Sequence, residues 1–139
     1  MSDDERNEAE TRRDLIDPVL SKAGWGKVDN SRVRCEVIAP GRLIGGGKRS
    51  DPTKADYVLV YKSQKLAVIE AKREALPDTE GLAQAKRDAT SLQVRFAYST
   101  NGKKIYRVDM QTGQEGYVDN YPTPDVLWNE TFTTPSSWR

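Results

Sequence analysis

Two carboxylates and one ammonium group are spaced so that a β-hairpin would bring them together. Asp56 begins an apolar run that ends at Tyr61, and Glu70 and Lys72 close the next apolar run. The polar segment between the runs is short, which predicts antiparallel strands joined by a turn. A connection of three or five residues places Asp56 directly across from Glu70, and Lys72 shares the face of Glu70. The sequence therefore predicts a cluster of three charges at the open end of this hairpin.

This cluster suits metal-dependent hydrolysis of a phosphodiester. Two carboxylates about 5 Å apart repel each other unless a cation, a shared proton or the lysine compensates. Mg²⁺ takes oxygen ligands and keeps several waters, so one or two carboxylates beside a phosphate suit it. Such an ion polarises the phosphodiester and lowers the pKa of a bound water, while Lys72 orients that water or offsets charge. The alternative is an ion-pair cluster at the sheet edge, which contributes little energy.

The same residues resemble the motif of PD-(D/E)xK nucleases. Asp56, then thirteen residues, then Glu70-Ala71-Lys72 follows that pattern, with Ala55 in place of the proline. The surrounding sequence is similar to the nuclease domain of the restriction (R) subunit of type I restriction enzymes. The similar segments are Asn7–Arg12, Leu15–Leu20, Gly24-Trp25, Gln84–Arg87 and Val94–Gly102, and the resemblance spans about residues 7–139. One departure concerns the Gln-x-x-x-Tyr motif of many R subunits, because here Gln84 is followed by Asp88.

The resemblance implies a role for each residue of the site. Asp56 and Glu70 would bind Mg²⁺, which Mn²⁺ could replace, and Lys72 would position the water or stabilise charge. Glu8 would be a further acid from the first helix, or else an acid that only complements the helix dipole. Gln84 would assist.

The resemblance also implies a substrate and partners. An R subunit cuts double-stranded DNA without reading its sequence, and works with methylase and specificity subunits. Its ATP-driven motor domains do not fit in 139 residues, so we expect the chain to be part of a larger helicase-nuclease subunit. Two alternatives stay open: a catalytically inactive module of the same fold that docks on DNA or protein, and a junction-resolving or repair nuclease.

Composition restricts the classes of protein that fit. The chain has the length of one domain, residues 1–139, with 36% hydrophobic and 31% charged residues and a net charge of +1. It has no histidine, which argues against zinc hydrolases and histidine-based triads. The single cysteine, Cys35, is expected to be a buried hydrophobe in a reducing compartment. Because neither a signal peptide nor a membrane span is recognisable, we expect a cytoplasmic protein without membrane contact.

Basic residues are segregated along the chain, and some are candidates for DNA contact. Lys48 and Arg49 follow three glycines in a predicted flexible loop, Gly45–Ser50, which lacks the spacing of a nucleotide-binding P-loop. Lys86 and Arg87 lie on a predicted helix, where ordinary solvated charges are the alternative.

The remaining pattern predicts an α/β fold, a mixed central β-sheet flanked by helices on both faces. A helix is predicted from about Glu5 to Ala23, ended by Gly24, and a second from Asp78 or Thr79 to Leu92 with Gln84 and Asp88 away from its core stripe. Asn101-Gly102 predicts a hairpin turn, and the four cations near it would either flank DNA or simply discourage aggregation at a sheet edge. The other predictions are a strand at 32–38, hairpin strands at 94–98 and 104–108, a short strand at 116–118, a short helix at 125–129, frayed residues 1–6 and a linker-like tail at 131–139.

Overall fold

A mixed six-stranded sheet forms the centre of the protein. The computed structural model describes residues 6–39, 43–46, 48–49 and 52–132. The strands are β1 Ser31–Ala39, β2 Leu43–Gly45, β3 Lys48–Arg49, β4 Thr53–Tyr61, β5 Gln64–Ala71, β6 Phe96–Thr100, β7 Ile105–Asp109 and β8 Glu115–Val118. The sheet has the strand order β1-β4-β5-β6-β7-β8, and β2 and β3 pair separately. The pairing of β5 with β6 is parallel, and every other pairing in the large sheet is antiparallel.

The first helical segment changes its winding along its length. It consists of α1 (Glu8–Thr11), a π-helical turn (Arg12–Ile16) and α2 (Asp17–Lys22). The Asn7 side chain caps α1 by accepting from the backbone of Glu10, whose carboxylate accepts from the backbone of Asn7. Pro18 has no N–H to donate to the preceding turn, which explains the wider winding before it. The predicted helix is confirmed from Glu8 to Lys22, and Gly24 follows it with φ of +107°.

Helices cover both faces of the sheet, as the sequence predicts. One core lies between the first helical segment, α4 (Pro124–Phe132) and the sheet, and α3 (Leu82–Leu92) covers the other face. The first core includes Ile16, Leu20, Tyr57, Ile69, Tyr98 and Leu127, and the second includes Val58, Val60, Val68, Ala85, Ala89 and Ala97. Tyr57 and Val58 thus lie on opposite faces, as do Val68 and Ile69, which confirms the predicted alternation along the hairpin.

The central hairpin has a shorter turn than either connection considered from the sequence. Only Lys62 and Ser63 connect β4 and β5, and both have positive φ, as a two-residue hairpin turn requires. A bulge beyond Leu59 then shifts the register by one residue, so that Tyr57 pairs with Ile69. This register faces Asp56 toward Glu70, as the sequence predicts.

Several local predictions are wrong. Cys35 is exposed because β1 is an edge strand. Gly81 precedes α3 without a side-chain cap, so neither Asp78 nor Thr79 caps it. The strands joined at Asn101-Gly102 are interior, whereas β8 forms the edge, so the four cations near this turn do not mark a sheet edge.

Two further predictions are modified or lie outside the described residues. Leu43–Gly45 and Lys48–Arg49 form a short antiparallel pair where the sequence predicts a flexible loop. Residues 1–5 and 133–139, most of the two predicted terminal segments, lie outside the described ranges. No helix in the described part of the chain is both long and apolar enough to cross a membrane.

Candidate active site

The hairpin brings Asp56 and Glu70 together in a nearly dry environment. The exposed fractions of the two residues are 9% and 3%. Oδ2 of Asp56 accepts a hydrogen bond of 2.8 Å from the backbone N–H of Ala71, so the strand beside Glu70 also fixes Asp56. This bond and the hairpin register hold Asp56 beside Glu70, whose carboxyl group lies on the sheet face that α3 covers.

Glu70 is the strained member of this pair. Within the described residues, its Oε2 is buried without a hydrogen-bond partner. Burial, followed by the charges and hydrogen-bonding contacts of Asp56 and Asp88, raises the pKa of Glu70 to about 10. Two carboxylates flank a third, so the site stabilises an added proton or an added cation near Glu70.

Asp88 is part of this cluster, which corrects its predicted position away from the helix core. It is fully buried, with 0% exposure, on the inner side of α3. Its Oδ1 accepts a hydrogen bond from Oγ1 of Thr53, and its Oδ2 is buried without a partner among the described residues. The residue that departs from the Gln-x-x-x-Tyr motif therefore adds a third carboxylate next to Glu70.

Gly81 lets the chain pass close to Glu70 and Lys72. A Cβ added at Gly81 would lie 2.9 Å from Cγ of Glu70 and 3.3 Å from Cε of Lys72. The backbone N–H of Lys72 donates to the carbonyl of Thr100 at 3.0 Å, which continues the pairing beyond the end of β5. Lys72 is thus held by its backbone, and its side chain is partly exposed at the mouth of the site.

Glu8, at the start of the first helical segment, lies near the pair. Burial and the charge of Asp56 raise the pKa of Glu8 above its ordinary value, and Lys72 and Arg12 act in the opposite direction. Nη1 of Arg12 lies 3.8 Å from Glu8 and 3.9 Å from Asp56, and it forms a 2.8 Å ion pair with Glu36. Arg12 therefore connects the first helix, β1 and β4 around the acids.

The other predicted residues have separate environments. Nε2 of Gln84 donates to the carbonyl of Lys54 at 3.4 Å, so it lies on the flank of α3 beside β4. Nζ of Lys86 is 3.1 Å from Glu115, whereas Arg87 is exposed and has no ion-pair partner among the described residues. The side chains of Lys48 and Arg49 lie outside the described part of the structure, so their predicted contact with DNA stays a prediction.

Comparison of the chain with known proteins shows similarity in sequence and fold. The chain is similar to subunits of type I restriction enzymes. The Type I restriction enzyme EcoAI endonuclease subunit of Escherichia coli is 33% identical over 135 residues, which cover 88% of this chain. A solved fragment assigned to an HsdR subunit of a type I restriction enzyme from Vibrio vulnificus YJ016 has a TM-score of 0.78 and 35% identity, covering 91% of this chain. No family model matches the sequence.

These similarities confirm part of what the sequence predicts. The fold is that of the Vibrio vulnificus fragment, and the predicted likeness to type I restriction subunits is confirmed. The chain spans 16% of the length of the Escherichia coli subunit and 25% of the Vibrio vulnificus chain. The two proteins therefore parallel this chain over only a small part of their own length.

Besides Asp88, three residues of the site were not predicted as part of it. Arg12 follows Glu8 by four residues, the spacing of an ion pair on one helix face, which is a signal that the sequence does contain. Gly81 and Thr53 give no comparable signal, because their proximity to Glu70 and Asp88 depends on how α3 packs against the sheet. Long-range packing of this kind is not encoded in any local spacing.

Proposed function

We propose that this chain is the nuclease domain of a type I restriction enzyme R subunit. It would hydrolyse phosphodiester bonds of double-stranded DNA without its own sequence specificity, with Mg²⁺ or Mn²⁺ as cofactor. The observation that carries the proposal is the pairing of Asp56 with Glu70 across the β4–β5 hairpin, next to Lys72. The similarity to the Escherichia coli endonuclease subunit supports the same activity.

The donor set fits a hard divalent cation. Oε2 of Glu70 is a buried oxygen without a partner in the described residues, and a cation would satisfy it. No described group of three or more acidic side chains is arranged to hold a metal ion as it stands. Two carboxylates with several waters are nevertheless a usual set of ligands for Mg²⁺, so Asp56 and Glu70 would suffice.

When bound, the ion supplies a polarised phosphodiester oxygen and a water of lowered pKa. Lys72 would place its ammonium group near the scissile phosphate, where it stabilises negative charge that develops in the transition state. Ala71 holds one oxygen of Asp56 through its N–H and leaves Oδ1 for the ion. Glu8 and Gln84 would assist from the first helix and from α3.

The partners and the cellular location follow from the same proposal. The full-length subunit would join methylase and specificity subunits, and ATP would act through motor domains elsewhere in that subunit. The protein would act on DNA in the cytoplasm.

Calorimetric titration with Mn²⁺ tests the metal site directly. We expect the wild type to bind Mn²⁺, and Asp56→Ala and Glu70→Ala to abolish binding. Asp119→Ala is the matched control, because Asp119 is an exposed acid in the segment after β8. Cleavage of plasmid DNA by the assembled enzyme should be lost in the same two variants. Binding that survives both substitutions would refute the proposed ligands.

Two observations favour a second candidate, a catalytically inactive docking module. Asp88 replaces the tyrosine of the Gln-x-x-x-Tyr motif, and the described acids are not arranged as a complete set of metal ligands. A docking module would assemble with its partner subunits and be indifferent to Asp56→Ala in every assay. Loss of cleavage with intact assembly in Asp56→Ala would exclude this candidate.

A further inference from the structure

We propose that the DNA backbone binds in a groove between β1 and α3, here called the arginine groove and formed by Arg32, Arg34 and Arg87. This inference rests on the proposed function, and it adds Arg32 and Arg34, which the sequence motifs do not identify, to Arg87, which was predicted to contact DNA. The groove lies on the sheet face that α3 covers, which is also the face of Glu70.

The first wall of the arginine groove is the edge strand β1. Arg32 pairs with Val60 and Arg34 pairs with Val58, and paired residues in a sheet project to the same face. Val58 and Val60 belong to the core beneath α3, so both arginines project on the α3 side. A cavity of about 500 Å³ lies there, lined by Asn30, Arg32, Arg34, Val60 and Ser63.

The second wall is the flank of α3 that approaches β4 and β1. The hydrogen bond from Gln84 to the carbonyl of Lys54 identifies this flank. Arg87 follows Gln84 by three residues, so it lies on the same side of the helix one turn further on. Lys86 lies on the opposite flank, where it pairs with Glu115 of β8. Arg87 therefore lies on the exposed side of α3 nearer to β4 and β1, at the rim of the arginine groove, whereas Lys86 does not.

The cations of the arginine groove differ from most other arginines of the chain. Arg32, Arg34 and Arg87 are exposed, and none has an acidic partner among the described residues. By contrast, Arg12, Arg95 and Arg107 form ion pairs with Glu36, Asp109 and Glu130 at distances of 2.8 to 2.9 Å. Arg32 and Arg34 line one concave surface, and with Arg87 at its rim these unpaired guanidinium groups create a positive potential that suits consecutive phosphates.

The arginine groove leads to the proposed metal ligands. Arg34 and Arg32 pair with Val58 and Val60, which follow Asp56 on β4 by two and four residues. At about 3.4 Å per residue, Arg34 is therefore displaced from Asp56 by about 7 Å along the strand direction and Arg32 by about 14 Å. Glu36 lies two residues beyond Arg34 on β1, across from Asp56, and its charge is neutralised by Arg12 and Lys54, each at 2.8 Å. A DNA strand bound along β1 would thus bring a phosphate to the acids without meeting an unpaired carboxylate on the way.

Binding of a short fluorescein-labelled DNA duplex, followed by fluorescence anisotropy in EDTA, tests the arginine groove. The test variant is Arg32→Glu with Arg34→Glu, and Arg87→Glu is measured separately. Lys22→Glu with Lys27→Glu is the control, because these lysines are also exposed and unpaired among the described residues, on the first helical segment and the loop that follows it. Circular dichroism and Mn²⁺ titration establish that each variant is folded with an intact metal site.

We expect the double arginine variant to weaken binding at least tenfold and to reduce the slope of log K against log salt by about 1.8, as loss of two phosphate contacts requires. Arg87→Glu should reduce the slope by about 0.9, and the control should bind within twofold of the wild type. Equal loss in the control and in the double arginine variant would overturn the arginine groove and leave the proposed nuclease function intact. A wild type that binds no DNA would overturn both. If the double variant is unfolded, Arg32→Gln with Arg34→Gln replaces it, with the same expected order.

Discussion

The backbone N–H of Ala71 donates a 2.8 Å hydrogen bond to Oδ2 of Asp56, while the adjacent Glu70 has a buried Oε2 with no partner in the described residues. The strand β5 thus supplies a hydrogen-bond donor to the carboxyl group of Asp56 and none to Oε2 of Glu70. The negative charge of Asp56 has a fixed donor, and the charge of Glu70 has none. This asymmetry makes Glu70 the group that most needs a proton or a cation.

The first prediction concerns the dependence of stability on pH. Because the pKa of Glu70 is raised to about 10 in the folded protein from an ordinary value near 4.5, the folded state holds a proton that the unfolded state loses between these values. The contribution of Glu70 to the free energy of unfolding is therefore greatest below about pH 4.5, and it falls as the pH rises toward 10. Urea denaturation at pH 5, 7 and 9 in EDTA measures this slope.

The variant Glu70→Gln isolates this effect, because a glutamine of nearly the same shape cannot ionise. We expect the free energy of unfolding of Glu70→Gln to depend less on pH between 5 and 9 than that of the wild type. Mn²⁺ should stabilise the wild type at pH 7 and leave Glu70→Gln unchanged. Identical pH slopes for the two proteins would show that Glu70 is not the titrating group.

The second prediction concerns Asp88. Replacement by asparagine removes a negative charge next to Glu70, keeps an oxygen that can accept from Thr53, and provides an amide N–H for the carboxyl group. We expect Asp88→Asn to raise the free energy of unfolding by about 1–3 kcal/mol at pH 8, because a buried charge without a cation is costly. The pKa of Glu70 should fall.

Asp88→Ala serves as the comparison for this prediction. It removes the same charge but leaves a cavity and an unpaired Thr53 hydroxyl, so its gain in stability should be smaller or absent. Chemical denaturation of both variants at pH 8 makes the comparison. An Asp88→Asn protein that is less stable than the wild type would contradict the view that an acid at this buried position destabilises the fold.

The third prediction is that Lys72→Ala spares folding and abolishes DNA cleavage by the assembled enzyme. The side chain of Lys72 is partly exposed, and the backbone bond to Thr100 does not depend on it. Loss of one group that stabilises charge in a transition state typically lowers the rate by about 10²–10³. Cleavage of plasmid DNA, with the melting temperature as a check on folding, makes the measurement. A wild-type rate would show that Lys72 has no catalytic role.

The hairpin was predictable from the sequence because its pattern is local. The side chains of both apolar runs alternate between the two sheet faces, as predicted. Asp56 and Glu70 share a face whenever the register between the two strands shifts by an even number of residues. The structure satisfies that condition with a two-residue turn and a bulge, which differ from the predicted three- or five-residue connection. The turn at Asn101-Gly102 was predictable for the same reason, since both residues suit tight hairpins.

The wrong predictions concern packing between distant segments. Asp88 borders the stripe of Ala85 and Ala89, and a helical pattern that counts only apolar residues places an aspartate on the outside. It is buried because Thr53, 35 residues earlier in the chain, donates to it at that position. The predicted burial of Cys35 is wrong because alternation predicts a strand but does not indicate that the strand lies at the edge of the sheet.

The fourth prediction tests how tightly α3 holds the site. Gly81 has an ordinary negative φ, so alanine fits its backbone, but the new Cβ would lie 2.9 Å from Cγ of Glu70. Glu70 or α3 must shift by several tenths of an ångström, and Lys72 is next in contact. We expect Gly81→Ala to weaken Mn²⁺ binding at least tenfold, whereas Gly116→Ala should have no effect, since nothing lies within 4 Å of its added Cβ. Calorimetry on the two variants makes the comparison, and equal affinities would show that Glu70 can move freely without loss of the metal site.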